Sequence, residues 1–435
     1  MLSGSGHGPV ISGSILGMSR STRLALAALV AAALSCAAPD AAILREESAR
    51  AQVTNRVVAT LDRQKHYFAG DAGRAAFLAR LHGIAHATGD ARTFYRGLAD
   101  ALAALLEGHT GLVGSAQVPF SSTIPPVAIL EVDGQPVVAG VAPGIEGGGL
   151  RAGDSILAVN GLSARQTLTR QLRTAPGSTE HARRARAVAN LLSGPTNSPA
   201  LVKVRGADGR IRRCFPVRFL LDDEGTDRMR FGFLPTGVRA VRLSPAAAYV
   251  AFPEFNDARR RELEQAIESF AEMPTLVLDL RGNPGGSIRT LQRVAGIFFE
   301  HPVAFVRMRR EDREEILRTV PGPARFTGTL RLLVDERTGS AAELLAAGLQ
   351  DLGRAEVIGR PTAGSARARR SVSLPGGVIF HYAGRAEFLR SDGTPVEGRG
   401  VQPDLLYRPT RADLASGAYG DPFRDPAVRL ALRRN

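Results

Sequence analysis

Between residues 247 and 359 the chain alternates strand-length apolar runs with helix-length amphipathic stretches, and nothing else in it constrains the fold as strongly. The runs are AAYVAF (247–252), TLVLDL (275–280), LRLLVD (330–335) and AEVIG (355–359). Between them lie helix-compatible segments at 257–272, 287–299 and 340–352. Strands this uniformly apolar need cover on both faces, and strand–helix–strand crossovers make neighbouring strands parallel. The expectation is a largely parallel α/β core over 230–410, with GVIFHY and RAEFLR (377–390) as an antiparallel addition. Residues 411–435 read as a tail.

Upstream the periodicity changes twice. In 43–122, Val53, Val57, Val58 and Leu61 recur at helical spacing, as do Phe77, Leu78, Leu81 and Ile84. Gly70 and Gly89-Asp90 break the pattern, so this segment should hold about three helices. From 124 to 218 the pattern is of short strands: VAILEV, PVVAGVA, SILAVNG and ALVKVRG. The fold class expected is α/β and multi-domain, in keeping with a length of 435 residues.

The N-terminal region reads as an export signal over 18–38. Arg20 and Arg23 precede the apolar run LALAALVAAAL (24–34), and the small residues SCAA follow. Residues 1–17, ahead of Met18, read as an untranslated or unstructured extension. Eleven apolar residues are too few to span a bilayer, which takes about twenty. An exported, periplasmic protein is expected, with a secreted form or a lipid anchor at Cys36 as the alternatives.

The formal charge of +14 comes from an unusual basic set: Lys65 and Lys203 are the only lysines among fifty-six Lys and Arg residues. The arginines lie in short scattered clusters, aromatics make up 6%, and Trp is absent, so no nucleic-acid platform is expected. Cys36 and Cys214 are too few for a disulfide scaffold and lack metal-site spacing; neither metal nor organic cofactor is expected.

Two turns in the α/β region carry chemistry. Asp279-Leu280-Arg281-Gly282-Asn283-Pro284-Gly285-Gly286 follows a buried strand, and its glycines can turn backbone amides outward. In Asp335-Glu336-Arg337-Thr338-Gly339-Ser340-Ala341-Ala342-Glu343 a strand ends and Ser340 opens a helix. An oxyanion there would meet the Ala341 amide and the helix N-terminus. A plain capping box, Ser340 with Glu343, is the simpler alternative.

Together these stretches resemble the tail-specific, or carboxyl-terminal-processing, serine peptidases. The likeness rests on DLRGNPGG (279–286), TGSAAELLAAGLQDLGRAEVIGRPTAGS (338–365) and EGRGVQPD (397–404). Residues 149–161, GLRAGDSILAVNG, resemble the second half of a PDZ domain, without a recognisable carboxylate-binding loop near Pro126. The resemblance implies Ser340 as nucleophile, with an oxyanion hole from Ala341 and the Gly285-Gly286 turn. The best-known branch activates its serine with a lysine, but Ser365 stands at that position here and Arg369 replaces a helper glutamine. The element Leu106-Glu107-Gly108-His109-Thr110 instead resembles the Asp-Gly-His-Thr of a lysine-free branch that includes the tricorn core and retinoid-binding relatives. That likeness implies His109 as general base and Glu397 as the group orienting it, with Glu107 in place of Asp and Gly108 in place of a helper serine. The function implied is an exported serine endopeptidase acting on polypeptides. The alternative is a non-catalytic protein that binds a peptide or small apolar ligand on the same scaffold.

Overall fold

A computed structural model describes residues 44–68, 70–115, 117–118, 123–142, 147–218 and 237–433. The segment read as an export signal, Cys36 and the residues ahead of Met18 lie outside the described residues.

Helices α1 (Glu47–Asp62), α2 (Asp71–His86) and α3 (Ala91–Ala103) come first among the described residues. Asp90 caps α3 by accepting the Thr93 amide. Val57, Leu61, Leu81, Phe94, Leu98 and Leu102 turn inward from the three helices, at the spacing that one helical face requires. The chain then enters the short strand β1 (Gly111–Val113).

The next unit is antiparallel. It holds β2 (Val127–Val132), β3 (Gln135–Val141), β4 (Ser155–Val159), β5 (Leu162–Ser163), α4 (Ala164–Leu172), α5 (Glu180–Ala189), β6 (Val202–Arg205) and β7 (Ile211–Cys214). The strand order is β2-β3-β4-β6-β7, with β5 beside β4. Asn160 and Gly161 both take positive φ, 49° and 84°, as a two-residue hairpin turn demands. Cys214 is free and buried in this unit's core.

The α/β region comprises β8 (Arg239–Ser244), β9 (Ala247–Ala251), α6 (Asp257–Ser269), β10 (Thr275–Asp279), α7 (Ile288–Gly296), β11 (Ala304–Arg310), β12 (Arg313–Arg318), β13 (Thr329–Val334), α8 (Ala341–Asp351) and β14 (Ala355–Gly359). It continues through β15 (Arg369–Ser373), β16 (Ile379–Ala383), β17 (Glu387–Leu389), β18 (Leu405–Leu406), α9 (Arg411–Ala415) and α10 (Pro426–Leu432). The main sheet runs β18-β14-β13-β10-β9-β8, parallel except for the edge strand β8. Alternate side chains face opposite layers. Ala248, Val250, Leu276, Leu278 and Leu332 meet α6, α7 and α8, while Tyr249, Ala251, Val277, Leu333 and Ile358 meet Ala427, Val428 and Ala431 of α10. The stretch expected to be a tail therefore covers the second face of the sheet.

The residues read as an antiparallel addition divide between two other sheets. Strand β17 joins β11 and β12, whereas β16 lies between β1 and β15. Leu374, Val378, Phe380 and Ala383 from this second sheet complete the core of the helical bundle. Through β1·β16 pairing, with Gly111 opposite His381, the residues just after His109 are fastened to the α/β region.

Candidate active site

Two parallel strands deliver the two chemical turns at their carboxyl ends, where α/β sheets open their crevices. After β10, Asn283 is fully buried and ties three segments together. Its Nδ2 donates to the Phe252 carbonyl (2.7 Å), its Oδ1 accepts the Gly285 amide (2.8 Å), and its carbonyl accepts the Gly339 amide (2.8 Å). After β13, Asp335 accepts the Gly282 amide (2.8 Å) and Thr338 donates to the Leu280 carbonyl (2.8 Å). Burial would raise the Asp335 carboxyl, but Arg337 and Arg360 outweigh it and hold it at about 2. On the first turn Arg281 bridges Asp279 and Asp425, the latter from the segment before α10.

Ser340 sits between this turn and α8 with φ 52° and ψ −123°. A simple N-cap takes extended backbone angles, and positive φ on a non-glycine residue costs on the order of 1–3 kcal/mol. The Ser340 conformation is thus the strained strand-to-helix turn that exposes a hydroxyl, more than a cap. Two contacts hold it: the Ser340 amide donates to Glu343 Oε2 (3.0 Å) and to the Ser365 carbonyl (2.9 Å).

Gly285, at φ +93°, faces this turn so closely that a Cβ on it would lie 2.6 Å from both Ser340 Cβ and the Ala341 nitrogen. Only glycine permits that approach. The oxyanion donors expected from the sequence are narrowed by this geometry. Because the Gly285 amide is spent on Asn283, Gly285 provides the close approach, and Gly286 and Ala341 are the amides left for a substrate oxygen.

Glu343 does more than the structural helix residue read from the sequence. It is fully buried, and four donors converge on it. Oε2 accepts from the Ser340 and Ser365 amides (3.0 and 2.9 Å), and Oε1 from the Gly364 amide and Thr362 Oγ1 (2.6 and 2.5 Å). Burial pushes its carboxyl up to about 7, while these hydrogen bonds pull the other way. One carboxylate therefore fixes both the Ser340 turn and the 362–365 loop.

That loop reaches the His109 element. A Cβ on Gly108 would lie 1.9 Å from Ser365 Oγ, so the Ser365 hydroxyl fills the place of a side chain at 108. This hydroxyl is buried without a partner. The Gly108 amide donates to Ser178 Oγ (2.9 Å), Thr179 Oγ1 donates to the Ala363 carbonyl (2.9 Å), and His181 Nε2 meets the Thr362 carbonyl (2.6 Å). Residues at the start of α5 thereby brace the same loop.

A ring nitrogen of His109 lies within 4.8 Å of carboxylate oxygens of both Glu107 and Glu397, which themselves lie within that distance of each other. His109 Nδ1 is buried without a partner, and the ring forms no hydrogen bond with Ser340 Oγ. Burial, then the positive charges of Arg369 and Arg186, lower the imidazole to about 4. Glu397 does not pair with Arg399; its Oε2 accepts the Ala366 and Arg367 amides (2.7 and 2.9 Å). Glu107 Oε2 accepts the His109 amide (2.9 Å) and the Thr110 hydroxyl. Burial and the neighbouring Glu397 raise the Glu107 carboxyl to about 7.

The structure therefore brings His109 and Glu397 together and sets Ser340 beside Gly285 and Ala341. Sequence reasoning missed the roles of Asn283 and Glu343; the one available signal was Glu343 three residues after Ser340, which a capping box explains equally well.

Among the described residues, no helix is long and apolar enough to cross a membrane. The chain is 28% identical over 155 residues to a probable CtpA-like serine protease of Staphylococcus haemolyticus, covering 35% of this chain and 31% of that protein. Over 270 residues it is 25% identical to the chloroplastic carboxyl-terminal-processing peptidase 1 of Arabidopsis thaliana, covering 60% of this chain and 49% of the relative. The chain thus spans between about a third and a half of the length of these curated relatives. Mature CPAF shares the fold, with a TM-score of 0.68 at 16% identity over 87% of this chain and 96% of that one. Residues 246–407, which include both chemical turns and Glu397, match the model of peptidase family S41, so the chain carries a family S41 peptidase domain.

Proposed function

We propose that the protein is an exported serine endopeptidase that cleaves polypeptides through an acyl-enzyme on Ser340. The observation that carries this reading is the Ser340 turn, held at positive φ by Glu343 and seated against Gly285 and the Ala341 amide. In the proposed reaction a neutral His109 takes the Ser340 hydroxyl proton as Oγ bonds to the scissile carbonyl carbon. The oxygen of the tetrahedral adduct accepts hydrogen bonds from the Gly286 and Ala341 amides. Collapse breaks the C–N bond, His109 returns the proton to the departing amine, and water repeats the sequence to release the acyl group. Glu397, with a carboxylate oxygen within 4.8 Å of a ring nitrogen, orients the imidazole and stabilises its charged form. General-base help of this kind contributes about 10²–10⁴ in rate, and an oxyanion donor roughly 10²–10³. The PDZ-like reading of 124–218 makes that unit a brace for the 362–365 loop through Thr179 and His181, and for Gly108 through Ser178.

Catalytic hydrogen bonds often tighten only around substrate, so an unmade His109–Ser340 bond suits a free enzyme. It also favours the second reading, a binding protein on the same scaffold. A fluorophosphonate probe separates the two. On the peptidase reading it labels Ser340, and Ser340→Ala loses both label and peptide hydrolysis. A folded wild-type protein that takes no label, or hydrolysis that persists in Ser340→Ala, overturns the peptidase reading.

A further inference from the structure

The proposed base and the two carboxylates beside it share a feature. Each has one polar atom fixed by a neighbour or sealed from water, and another left uncommitted. Glu107 Oε2 is held by the His109 amide and the Thr110 hydroxyl, while its Oε1 is buried without a partner. Glu397 Oε2 is held by two backbone amides, leaving Oε1. His109 Nδ1 is likewise buried and unpartnered. Glu107 is only 6% exposed, and one ligand-type atom from each residue falls inside a 4.8 Å group.

We infer that Glu107, His109 and Glu397 form a three-ligand site for a zinc-class divalent transition metal, which shuts off the site by occupying its imidazole. An imidazole nitrogen with two carboxylate oxygens suits zinc and its neighbours; calcium and magnesium favour all-oxygen shells of higher coordination number. Ligand atoms around a tetrahedral zinc ion lie roughly 3.3 Å apart, so modest side-chain rotations would close the group. The hydrogen bonds on the second oxygens resemble the outer partners that orient metal-binding carboxylates. Two carboxylates and a neutral ring balance the ion's charge, offsetting the repulsion from Arg186 and Arg369 that His109 already feels. The regulatory part rests on the proposed peptidase reading. Metal on either ring nitrogen leaves the proton on the other, so no lone pair remains to accept the Ser340 proton.

The test is a zinc titration of the full-length protein against a competing chromophoric chelator. One tight equivalent is expected, retained in Ser340→Ala and weakened at least tenfold in Glu107→Gln and Glu397→Gln. Glu397 also holds two loop amides, so Glu107→Gln decides if Glu397→Gln fails to fold. The exposed pair His82 and His86, with Glu47 beside it, is the competing surface site. Binding that survives Glu107→Gln unchanged, or that disappears in His82→Ala, overturns the inference. Zinc should also block peptide hydrolysis reversibly, with a chelator restoring it. Because the titration needs no turnover, tight binding lost in Glu107→Gln upholds the metal site even if fluorophosphonate labelling fails and the peptidase reading falls.

Discussion

Replacing Glu107 by Gln should leave stability nearly unchanged in acid and raise it in alkali. The wild-type carboxyl is raised from 4.5 to about 7, by burial first and then by the negative charge of Glu397. The folded chain therefore holds this proton more tightly than the unfolded chain does. That contribution is fully present below about pH 4.5 and is lost as pH rises through about 7, when a charge must sit in a poorly solvated place. At about 1.4 kcal/mol per pKa unit, the whole difference amounts to roughly 3 kcal/mol. Glutamine keeps an oxygen for the His109 amide and the Thr110 hydroxyl and cannot ionise. Its amino group takes the place of Oε1, where it can donate toward Glu397. Denaturant midpoints of the two proteins, measured from pH 4 to pH 9, should coincide at the acidic end, diverge between about pH 4.5 and 7, and stay apart above it, the variant gaining about 1–3 kcal/mol. A difference that stays flat across this range, or a variant less stable at pH 9, would refute the reasoning by showing that Glu107 is already ionised in the folded chain.

Two more outcomes follow from the same geometry. Burial first, and then the exposed Arg369, should keep the acidic limb of kcat/KM below the usual histidine range; Arg369→Gln should move that limb part of the way upward, less so at high salt, and an unmoved limb would remove Arg369 from the site's electrostatics. Gly108→Ala puts a methyl group 1.9 Å from Ser365 Oγ, which should cost about 1–3 kcal/mol in unfolding free energy; Ser365→Gly in the same chain should recover most of that loss, and a double variant as unstable as Gly108→Ala would refute the proposed clash.

The core sheet was legible because its central strands are largely apolar and its helices are amphipathic. The expected run 275–280 becomes Thr275–Asp279, and 355–359 becomes Ala355–Gly359 without change. Strands β11 and β12 were not legible. AFVRMRR and REEILR carry charges on an exposed ribbon, so no alternation of apolar and polar residues marks them. Helix α10 has seven residues, too few for a period to register, yet it covers a whole face of the sheet. Within the site, Ser340, Gly285 and Gly286 were readable from turn chemistry. Asn283 was not, because its role consists of contacts with residues as distant as Phe252 and Gly339. The burial of Glu107 was equally hidden, since it arises where Thr110, itself bonded to Tyr67 of the α1–α2 connection, and the distant Glu397 meet beside it.

The proposed nucleophile and base come from segments more than two hundred residues apart, and their alignment depends on the loop 362–365. Glu343 fastens one side of that loop to the Ser340 turn through four hydrogen bonds. These hydrogen bonds hold the Ser340 turn against backbone strain of about 1–3 kcal/mol, although burial outweighs them in setting the carboxyl's pKa. The other side of the loop presses Ser365 against Gly108 and is braced from α5 by Thr179 and His181. Because Glu343 ties that loop to the Ser340 turn while Thr179 and His181 tie it to α5, and Ser178 holds the Gly108 amide, a shift of α5 would be transmitted to the proposed nucleophile and to the segment of the proposed base together.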